Sequence, residues 1–425
     1  MMQMQSLNWC DPLALASAVD EPYWALLHTS APGRGRYSYL AHRLVEQLSA
    51  PDWQSLAPHI SQRLAPFDRC WFGYLGYGLK NSLEALPADT PGPFALPHAW
   101  LMRFGAIYIF DHEKKQLQYW RNDGAAPLTA HDNTHTPHLP HVCELRSNMT
   151  RTQYLQHVKT ILAHIQAGDL YQANLTRKFR GRFAQPADGF SLFRALCIQS
   201  PAPYSAYLRF GDTQLISSSP ELFLSIDSHG KMQAAPIKGT LPRGATAEQD
   251  AALRHTLHAS EKNRAENLMI VDLMRHDFAR ACVPGTVRVP SLFDITSHAQ
   301  VHHMSSRIEG QLRADCSSLS AVAQCFPPGS MTGAPKIRAM QLCSALEQEE
   351  RGPYSGALGF FAGDGSAELS VIIRTLVLRA DQFEFQVGGG IVADSTPDGE
   401  LSELLDKASG MAKTLGISRE SLETL

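Results

Sequence analysis

Residues 151–168 carry apolar side chains at the three- and four-residue spacing of one helix face. These apolar positions are Tyr154, Leu155, Val158, Ile161, Leu162 and Ile165. Gly168 follows the last of them, and a glycine just beyond a periodic segment is typical of a helix end. The next residues, 170–176, have strand character. The pattern therefore predicts a helix followed by a strand.

Antiparallel strands are predicted after this helix and again later in the chain. The strand-like segments lie at 204–210, 213–217 and 222–226, and at 356–361, 369–378 and 383–387 after a second predicted helix at 337–350. Two copies of a helix followed by a meander predict an α+β fold, internally duplicated, with antiparallel sheets stacked and covered by helices. The sequence has no alternating strand–helix signal for a parallel sheet and no Gly-x-x-x-x-Gly-Lys phosphate loop.

The chain divides by composition into three parts. Residues 101–110 and 116–120 read as a β-hairpin that closes an N-terminal region, 1–121. Pro, Thr, Asp, Asn and His dominate the following residues, which predicts a linker at 122–148 and a catalytic domain at 149–425. The linker histidines are His131, His135, His138 and His141. A metal site there is disfavoured, because prolines interrupt the histidines and no acidic or cysteine partner stands at ligand spacing.

Charge and cysteine usage exclude several classes of protein. The net charge of the 425 residues is −3 and no block of like charge occurs, so we predict neither a nucleic-acid nor a membrane surface. The eight cysteines form no Cys-x-x-Cys pair, which argues against a zinc or redox motif and is typical of a reduced cytosolic protein. No signal peptide is evident and no apolar run approaches the ~20 residues of a membrane helix. We therefore predict a cytoplasmic protein.

The first candidate for chemistry is Lys238, which stands in Ala-Pro-Ile-Lys-Gly-Thr at 235–240. Pro236 fixes its own backbone and Gly239 permits unusual geometry, so the lysine is displayed by a stiff segment. Burial would lower its pKa and supply the neutral, nucleophilic amine. For an isolated lysine, a solvated strand end is the commoner explanation.

Carboxylates form the second candidate group. Glu266 precedes the apolar run 268–274, where it needs a cation, and a simple ion pair with Lys262 is the plainer alternative. Glu400, Glu403 and Lys407 share one helix face downstream of the glycine run at 388–390. Carboxylates without histidine or cysteine favour a hard cation such as Mg²⁺, held partly by an anionic substrate. A solvated helix face is the alternative.

Three further stretches complete the set. Glu221 stands at a predicted strand entrance, and 329–336 is a glycine-rich loop that opens a helix. Tyr354 and Arg374 could hold a carboxylate. Together these residues favour a Mg²⁺-dependent enzyme for a small polyanionic substrate, with a lysine as candidate nucleophile.

Seven ordered stretches resemble motifs of the chorismate-utilising enzymes, which include anthranilate, aminodeoxychorismate, isochorismate and salicylate synthases. The stretches are 220–223 (PELF), 236–240 (PIKGT), 262–277, 329–336 (GSMTGAPK), 351–356 (RGPYSG), 373–375 (IRT) and 388–394 (GGGIVAD). They lie within residues 151–415. The resemblance implies the fold of anthranilate synthase component I for residues 149–425 and its accessory region for residues 1–121.

The resemblance also implies roles for individual residues. The implied catalytic residues are Lys238 as nucleophile and Glu221 as general acid–base, with Thr332 and His303 nearby. The implied substrate-binding residues are Asn174, Tyr354, Arg374, Gly388, Gly389, Gly390 and Lys407. Magnesium would be bound by Glu266 and Glu403, with Glu400 in its outer shell, and would hold the ring carboxylate of chorismate.

Two positions distinguish members of this family. Gln172 stands where isochorismate and salicylate synthases carry a lysine base, and Lys238 stands where anthranilate synthases have alanine. Both favour amination of chorismate at C4, giving 4-amino-4-deoxychorismate for 4-aminobenzoate and folate synthesis. Anthranilate synthase is the alternative within the family. A non-catalytic scaffold with a decayed site is the alternative from another class, disfavoured because acid, metal and nucleophile candidates all occur together.

The chain lacks one expected part and departs from the family pattern at three positions. It has no Gly-x-Cys-x-Gly glutaminase elbow, so ammonia is expected from solution or from a separate glutamine amidotransferase subunit. Asn263 replaces the usual aspartate, His276 replaces asparagine and Pro328 replaces glycine. None of these removes a candidate catalytic group, but they leave the outer shell of the magnesium site open.

Overall fold

The computed structural model describes residues 3–31, 35–60, 64–122, 124–130, 140–297 and 301–425. The strands are β1 (Gln3–Leu7), β2 (Tyr23–His28), β3 (Tyr37–Ala50), β4 (Trp71–Leu75), β5 (Ala99–Asp111), β6 (Gln116–Arg121), β7 (Val142–Ser147), β8 (Gln172–Phe183), β9 (Tyr204–Phe210), β10 (Thr213–Ser219), β11 (Leu222–Ile226), β12 (Lys231–Ala235), β13 (Ile237–Pro242), β14 (Arg288–Ser297), β15 (Val301–Gln311), β16 (Gly333–Ala334), β17 (Ala357–Phe361), β18 (Ala367–Val371), β19 (Thr375–Arg379) and β20 (Gln382–Ile391). The helices are α1 (Pro12–Ala16), α2 (Trp53–Ile60), α3 (Arg151–Gln166), α4 (Gly189–Gln199), α5 (Ala247–Ala259), α6 (Glu261–Ala281), α7 (Ser318–Cys325), α8 (Lys336–Glu347), α9 (Pro397–Leu415) and α10 (Arg419–Glu423), with 3₁₀ turns at Tyr77–Ser82 and Gly329–Met331. In these ranges no helix has the length and apolar character needed to cross a membrane.

The strands form two antiparallel layers that meet at the long strand β5. One layer has the order β7–β8–β20–β19–β10–β9–β2–β3–β5–β6–β1. The other has the order β5–β4–β17–β18–β11–β12–β15–β14, and β13 pairs with the same edge of β15 as β12. Antiparallel sheets with helices laid on them confirm the predicted α+β class.

Helices cover the outer faces of the layers, and apolar side chains fill the space between them. Helices α3, α4, α8 and α9 pack on the first layer in one hydrophobic cluster, and α6 and α7 pack on the second in another. A third cluster, which includes Phe72, Phe104, Leu208 and Val377, lies between the layers. In β4, for example, Trp71 and Leu75 point into the second cluster and Phe72 and Tyr74 into the third, because successive side chains of a strand face opposite sides.

Local sequence accounts well for α3. Thr150 and Gln153 form a capping box at its start, and Tyr154, Val158 and Ile161 are its buried face. The helix ends at Gln166, and Gly168 adopts a φ of +82° just beyond it. The predicted hairpins near residues 111 and 211 are confirmed as β5–β6 and β9–β10.

Two stretches differ from the sequence prediction. Val142–Ser147, placed in the linker, is strand β7 at the edge of a layer, where no residue is buried and the side chains give no apolar alternation. The single strand predicted at 369–378 is two strands, because the chain leaves the ladder before Arg374, whose φ is +49°. The linker residues His131, His135 and His138 lie outside the described residues.

The N-terminal region and the catalytic region share their sheets. Strand β2 pairs with β9, and β4 pairs with β17. The division at 122–148 remains a prediction, but the hydrogen-bonded layers continue across it.

Candidate active site

Lys238 lies on β13, beside an irregularity in the pairing of β13 with β15 between Ile237 and Thr240. The next residue, Gly239, has a φ of +90°, which a side chain would strain. The Lys238 ammonium lies 3.5 Å from the carbonyl oxygen of Ser330. Burial lowers the pKa of Lys238, although Glu266 opposes this effect. The site therefore favours a larger fraction of neutral amine than a solvated lysine has.

Glu221 lies at the entrance of β11 and is buried, with 6% of its surface exposed. Its backbone carbonyl accepts a hydrogen bond from Val371 at 3.0 Å, which fixes the turn. Burial raises the pKa of its carboxyl to about 7, although the Ser330 hydroxyl and Lys238 both favour the charged form. A carboxyl with a pKa near neutrality can donate a proton in one step and accept one in the next.

The glycine run on β20 allows these groups to approach one another. Gly390 pairs with Asn174 on the neighbouring strand β8. A Cβ atom at Gly390 would stand 2.6 Å from the Gln172 amide nitrogen and 3.4 Å from the Lys238 ammonium. A Cβ atom at Gly389 would stand 2.8 Å from a carboxylate oxygen of Glu400. Side chains at these positions would therefore displace the candidate catalytic and metal-binding residues.

Helix α9 supplies two of the candidate metal ligands. Thr396 caps its first turn, and the Glu400 carboxylate reaches Gly389 of β20. Oε1 of Glu400 accepts a hydrogen bond from Ser395 at 2.5 Å, whereas Oε2 is buried without a partner among the described residues. Glu403 forms an ion pair with Lys407 at 2.7 Å. The Lys407 ammonium also donates to the carbonyl of Gly388 at 3.2 Å, so it joins the helix to the glycine run.

Glu266 projects from the second turn of α6 rather than from the entrance of the helix. The ion pair with Lys262, considered above as the plainer explanation, is present at 4.0 Å. Burial raises the pKa of Glu266, although Lys238 and Lys262 favour its charged form, and the nearby Glu403 adds to the rise. Burial likewise raises the pKa of Glu400. Carboxylates brought together in this way repel one another unless a cation lies between them.

Tyr354 lies in the turn between α8 and β17, and Arg374 lies where the chain passes from the second layer to the first. Tyr354 is buried in the segment before β17, at 7% exposure. Arg374 occupies the break between β18 and β19, where its carbonyl accepts a hydrogen bond from Ser218 at 3.1 Å. Burial lowers the pKa of Arg374, and the nearby Glu221 opposes this effect. The arginine is therefore electrostatically linked to the candidate acid–base group.

Thr332 and His303 approach the site from two other elements. Thr332 is buried, and its carbonyl accepts a hydrogen bond from Asn174 at 2.9 Å. Its hydroxyl donates to the carbonyl of Gly329 at 3.2 Å. His303 is 3% exposed on β15, where it pairs with Thr240 of the strand that carries Lys238.

The structure brings together five charged groups from four segments, because Glu403 and Lys407 both lie on α9. Lys238 interacts electrostatically with Glu221, Glu266, Glu403 and Lys407. Gly390 and Gly388 lie against this group, next to Lys238 and Lys407 respectively. The described residues contain no group of three or more His, Cys, Asp or Glu side chains arranged as a metal site.

Sequence reasoning missed two features of the site. Ser330, in the same loop as Thr332, hydrogen-bonds to Glu221 and accepts from Lys238. Both polar atoms of the Gln172 amide are buried and unpartnered within the described part of the chain. Gln172 was identified from its position, but its burial depends on packing against Gly390, which no local pattern reveals.

The structure shows where two of the departures from the family pattern, Asn263 and His276, lie. Asn263 lies close to Gly239, 2.9 Å from where a Cβ would be, and donates to Ser260 at the start of α6. It therefore supports the turn next to Lys238. His276 is exposed on α6, away from the buried face of the helix.

Comparison with known proteins agrees with this fold. The family model described as chorismate binding enzyme matches residues 28–413. An aminodeoxychorismate synthase of Streptomyces griseus is 40% identical over 81% of this chain and 50% of the relative. The aminodeoxychorismate synthase component 1 of Klebsiella aerogenes is 36% identical over 83% of this chain and 77% of the relative. The anthranilate synthase component 1 of Cereibacter sphaeroides is 34% identical over 82% of this chain and 74% of the relative.

Solved structures give the same result for the fold. Anthranilate synthase component I from Streptococcus pneumoniae superposes with a TM-score of 0.78 at 26% identity, covering 89% of this chain and 92% of the other. The menaquinone-specific isochorismate synthase of Escherichia coli has a TM-score of 0.79 at 17% identity, covering 98% and 95%. The architecture is therefore that of an α+β chorismate enzyme. The chain belongs to the chorismate-binding enzyme family, and it spans about half the length of the two Streptomyces aminodeoxychorismate synthases it matches.

Proposed function

We propose that this chain aminates chorismate at C4, converting chorismate and ammonia to 4-amino-4-deoxychorismate. The observation that carries the proposal is the pairing of a lysine of lowered pKa, Lys238, with Glu221, whose pKa is raised to about 7. Gln172, rather than a lysine, occupies the position of the water-activating base. The names of the Streptomyces and Klebsiella relatives support the same reaction.

The proposed reaction has two steps. In the first, neutral Lys238 forms a bond to C2 of chorismate, the ring double bonds shift, and the C4 hydroxyl leaves as water after taking a proton from Glu221. In the second, ammonia forms a bond to C4, the double bonds shift back, and the bond between C2 and the lysine nitrogen breaks. Glu221 then accepts the proton released from the attacking ammonia. Dividing one substitution into two is the usual advantage of covalent catalysis.

Magnesium is part of the proposal, and the donor set fits it. Carboxylate oxygens are the ligands that Mg²⁺ prefers, and Oε2 of Glu400 is buried without a partner in the described structure. Glu266 and Glu403 would hold the ion, with Glu400 in its outer shell, and substrate oxygens would complete the coordination. Two direct protein ligands agree with the described residues, which contain no group of three or more His, Cys, Asp or Glu side chains arranged as a metal site. When bound, Mg²⁺ would neutralise the ring carboxylate.

The remaining residues would bind and orient chorismate. Tyr354 and Arg374 would hold the carboxylate of the enolpyruvyl group, and the backbone amides of 388–390 would face the ring carboxylate. Asn174 and Lys407 would border the ring, because one pairs with Gly390 and the other donates to Gly388. Thr332 and His303 would lie near the C4 hydroxyl.

Ammonia would come from a separate glutamine amidotransferase subunit. The support is the absence of a glutaminase elbow from the sequence, together with relatives named as component 1. We include a cytoplasmic location in this proposal because the cysteines are unpaired.

The test is product identification by mass spectrometry after incubation of the purified chain with chorismate, ammonium and Mg²⁺ at alkaline pH. We expect an aminated product that retains the enolpyruvyl group, and no turnover when glutamine replaces ammonium. Anthranilate and pyruvate would instead identify the second candidate, anthranilate synthase, which the Cereibacter relative favours. Glutamine-dependent turnover by the chain alone would contradict the separate-subunit proposal.

A further inference from the structure

The side chain of Arg351 is buried where three segments of the active site meet. It lies just beyond α8, and only 2% of its side chain is exposed. Its guanidinium bonds Glu347 through both carboxylate oxygens, with Nε–Oε2 at 2.8 Å and Nη2–Oε1 at 2.7 Å. Oε1 of Glu347 also accepts a hydrogen bond from the Thr176 backbone at 3.0 Å. The bidentate pair therefore anchors the end of α8 to strand β8.

The other donors of Arg351 reach beyond this pair. Nη1 donates to the Met331 carbonyl at 2.9 Å and to the Ser355 hydroxyl at 3.1 Å. Nη2 donates to the Asn174 carbonyl at 2.7 Å. Together with the two bonds to Glu347, this gives five hydrogen bonds for the five N–H donors of a guanidinium. Every donor is used, so the orientation of the group is fixed.

The contacts of Arg351 with Asn174, Met331 and Ser355 are each at or beside a residue proposed to bind substrate. Asn174 is one such residue, Met331 precedes Thr332, and Ser355 follows Tyr354. The segments carrying these residues are β8, the loop before β16 and the turn before β17. We infer that Arg351 is a positioning residue that fixes these three segments relative to one another and so sets the geometry in which chorismate binds. This inference rests on the proposed function.

An aromatic ring from the N-terminal region supports the guanidinium. The Tyr77 ring lies under Arg351, with the guanidinium carbon 4.5 Å from the ring centroid. The Tyr77 backbone N–H donates to the Gly352 carbonyl at 2.9 Å. Cation–π stacking restricts the plane of the guanidinium. The N-terminal region therefore contributes to the position of Arg351 although it supplies none of the proposed catalytic residues.

If Arg351 only stabilised the fold, replacing it together with Glu347 would change stability and not the binding of chorismate. A buried ion pair can often be replaced by neutral residues without loss of stability. The contacts to Met331, Ser355 and Asn174, in contrast, depend on the planar fork of an arginine. A small shift of these segments changes substrate geometry, and a misplacement of about 1 Å can cost about 100-fold in rate.

The test compares two variants of Arg351, one of which also changes Glu347, with a matched control. The double variant Arg351→Met/Glu347→Gln removes both charges and keeps an oxygen for the Thr176 N–H. Arg351→Lys keeps the charge and the pairing with Glu347 but loses most of the other contacts. The control, Arg180→Lys, alters another largely buried ion pair, to Glu384 and Glu349; Arg180 lies six residues beyond Asn174 on β8, and its guanidinium bonds neither Asn174, Met331 nor Ser355.

We expect the Arg351 variants to unfold near the wild-type temperature, with KM for chorismate raised about tenfold, kcat lowered and KM for ammonium unchanged. Arg180→Lys should retain the wild-type KM for chorismate. Three results would each overturn the inference. They are wild-type kinetics in either folded Arg351 variant, an Arg180→Lys variant whose kinetics with chorismate are impaired as much as those of the Arg351 variants, and failure of both Arg351 variants to fold. If the wild-type chain aminates nothing, the proposed function fails, and calorimetric Kd values for chorismate then decide the Arg351 inference in the same way.

Discussion

The buried carboxyl of Glu221 should make the folded protein less stable as the pH rises. Burial places its folded-state pKa at about 7, against an ordinary value of 4.5. The folded state therefore binds this proton more tightly than the unfolded state does. The stabilisation is fully present below pH 4.5 and is lost as the pH rises through 7. The difference between the two pKa values corresponds to about 3 kcal/mol.

Glu221→Gln removes the titration and keeps the shape of the side chain. Its free energy of unfolding, relative to wild type, should therefore rise by about 2–3 kcal/mol between pH 5 and pH 8. Amination should fall by about 100-fold or more, because the glutamine amide cannot transfer the proton. Urea unfolding at both pH values measures the first effect, and steady-state kinetics measures the second.

The control is Glu423→Gln, which changes an exposed carboxyl on the last helix. Its stability relative to wild type should show little dependence on pH over the same range. A Glu221→Gln variant whose relative stability is also independent of pH would refute the assignment of a buried, proton-binding carboxyl. Wild-type turnover in that variant would refute its role as acid–base.

Three further predictions follow from the same site. Lys238→Ala should lose most C4 amination, and Lys238→Arg should not restore it because a guanidinium stays protonated. Intact-protein mass spectrometry of the wild type, incubated with chorismate and no ammonia, should detect an adduct on Lys238. Glu266→Gln and Glu403→Gln should each abolish turnover with an unchanged circular dichroism spectrum, and full activity in either variant would mean that the metal ligands are misassigned. Gly390→Ala should lower kcat/KM for chorismate by about tenfold or more, because its Cβ would stand 2.6 Å from the Gln172 amide, whereas Gly410→Ala on α9 should not.

Much of the fold could be predicted because its signals are local. The apolar spacing of 151–168 and the cap at Thr150 specify α3, since helix periodicity and capping depend on residues a few positions apart. The β9–β10 hairpin was predictable for the same reason, with Gly211 at its turn. Strand β7 was not, because an exposed edge strand needs no apolar alternation and forms only when β8 is beside it.

The identities of the candidate site residues were predicted from motifs that follow one another along the chain. Sequence alone identified Lys238, Glu221, Glu266 and Glu403, since an ordered series of family motifs does not depend on coordinates. It also favoured C4 amination through Gln172. It could not give the distances among these groups, because they come from segments up to about two hundred residues apart.

Only the tertiary structure decided which of these groups are buried and which partners they have. The pKa of Glu221 is raised because the surrounding strands exclude water, and that of Lys238 is lowered for the same reason. The sequence around Arg351 gives no sign that its five donors join Glu347 to three separate segments. The sequence thus determined which residues and elements are present, and folding determined their desolvation and orientation, because both depend on contacts between residues distant along the chain.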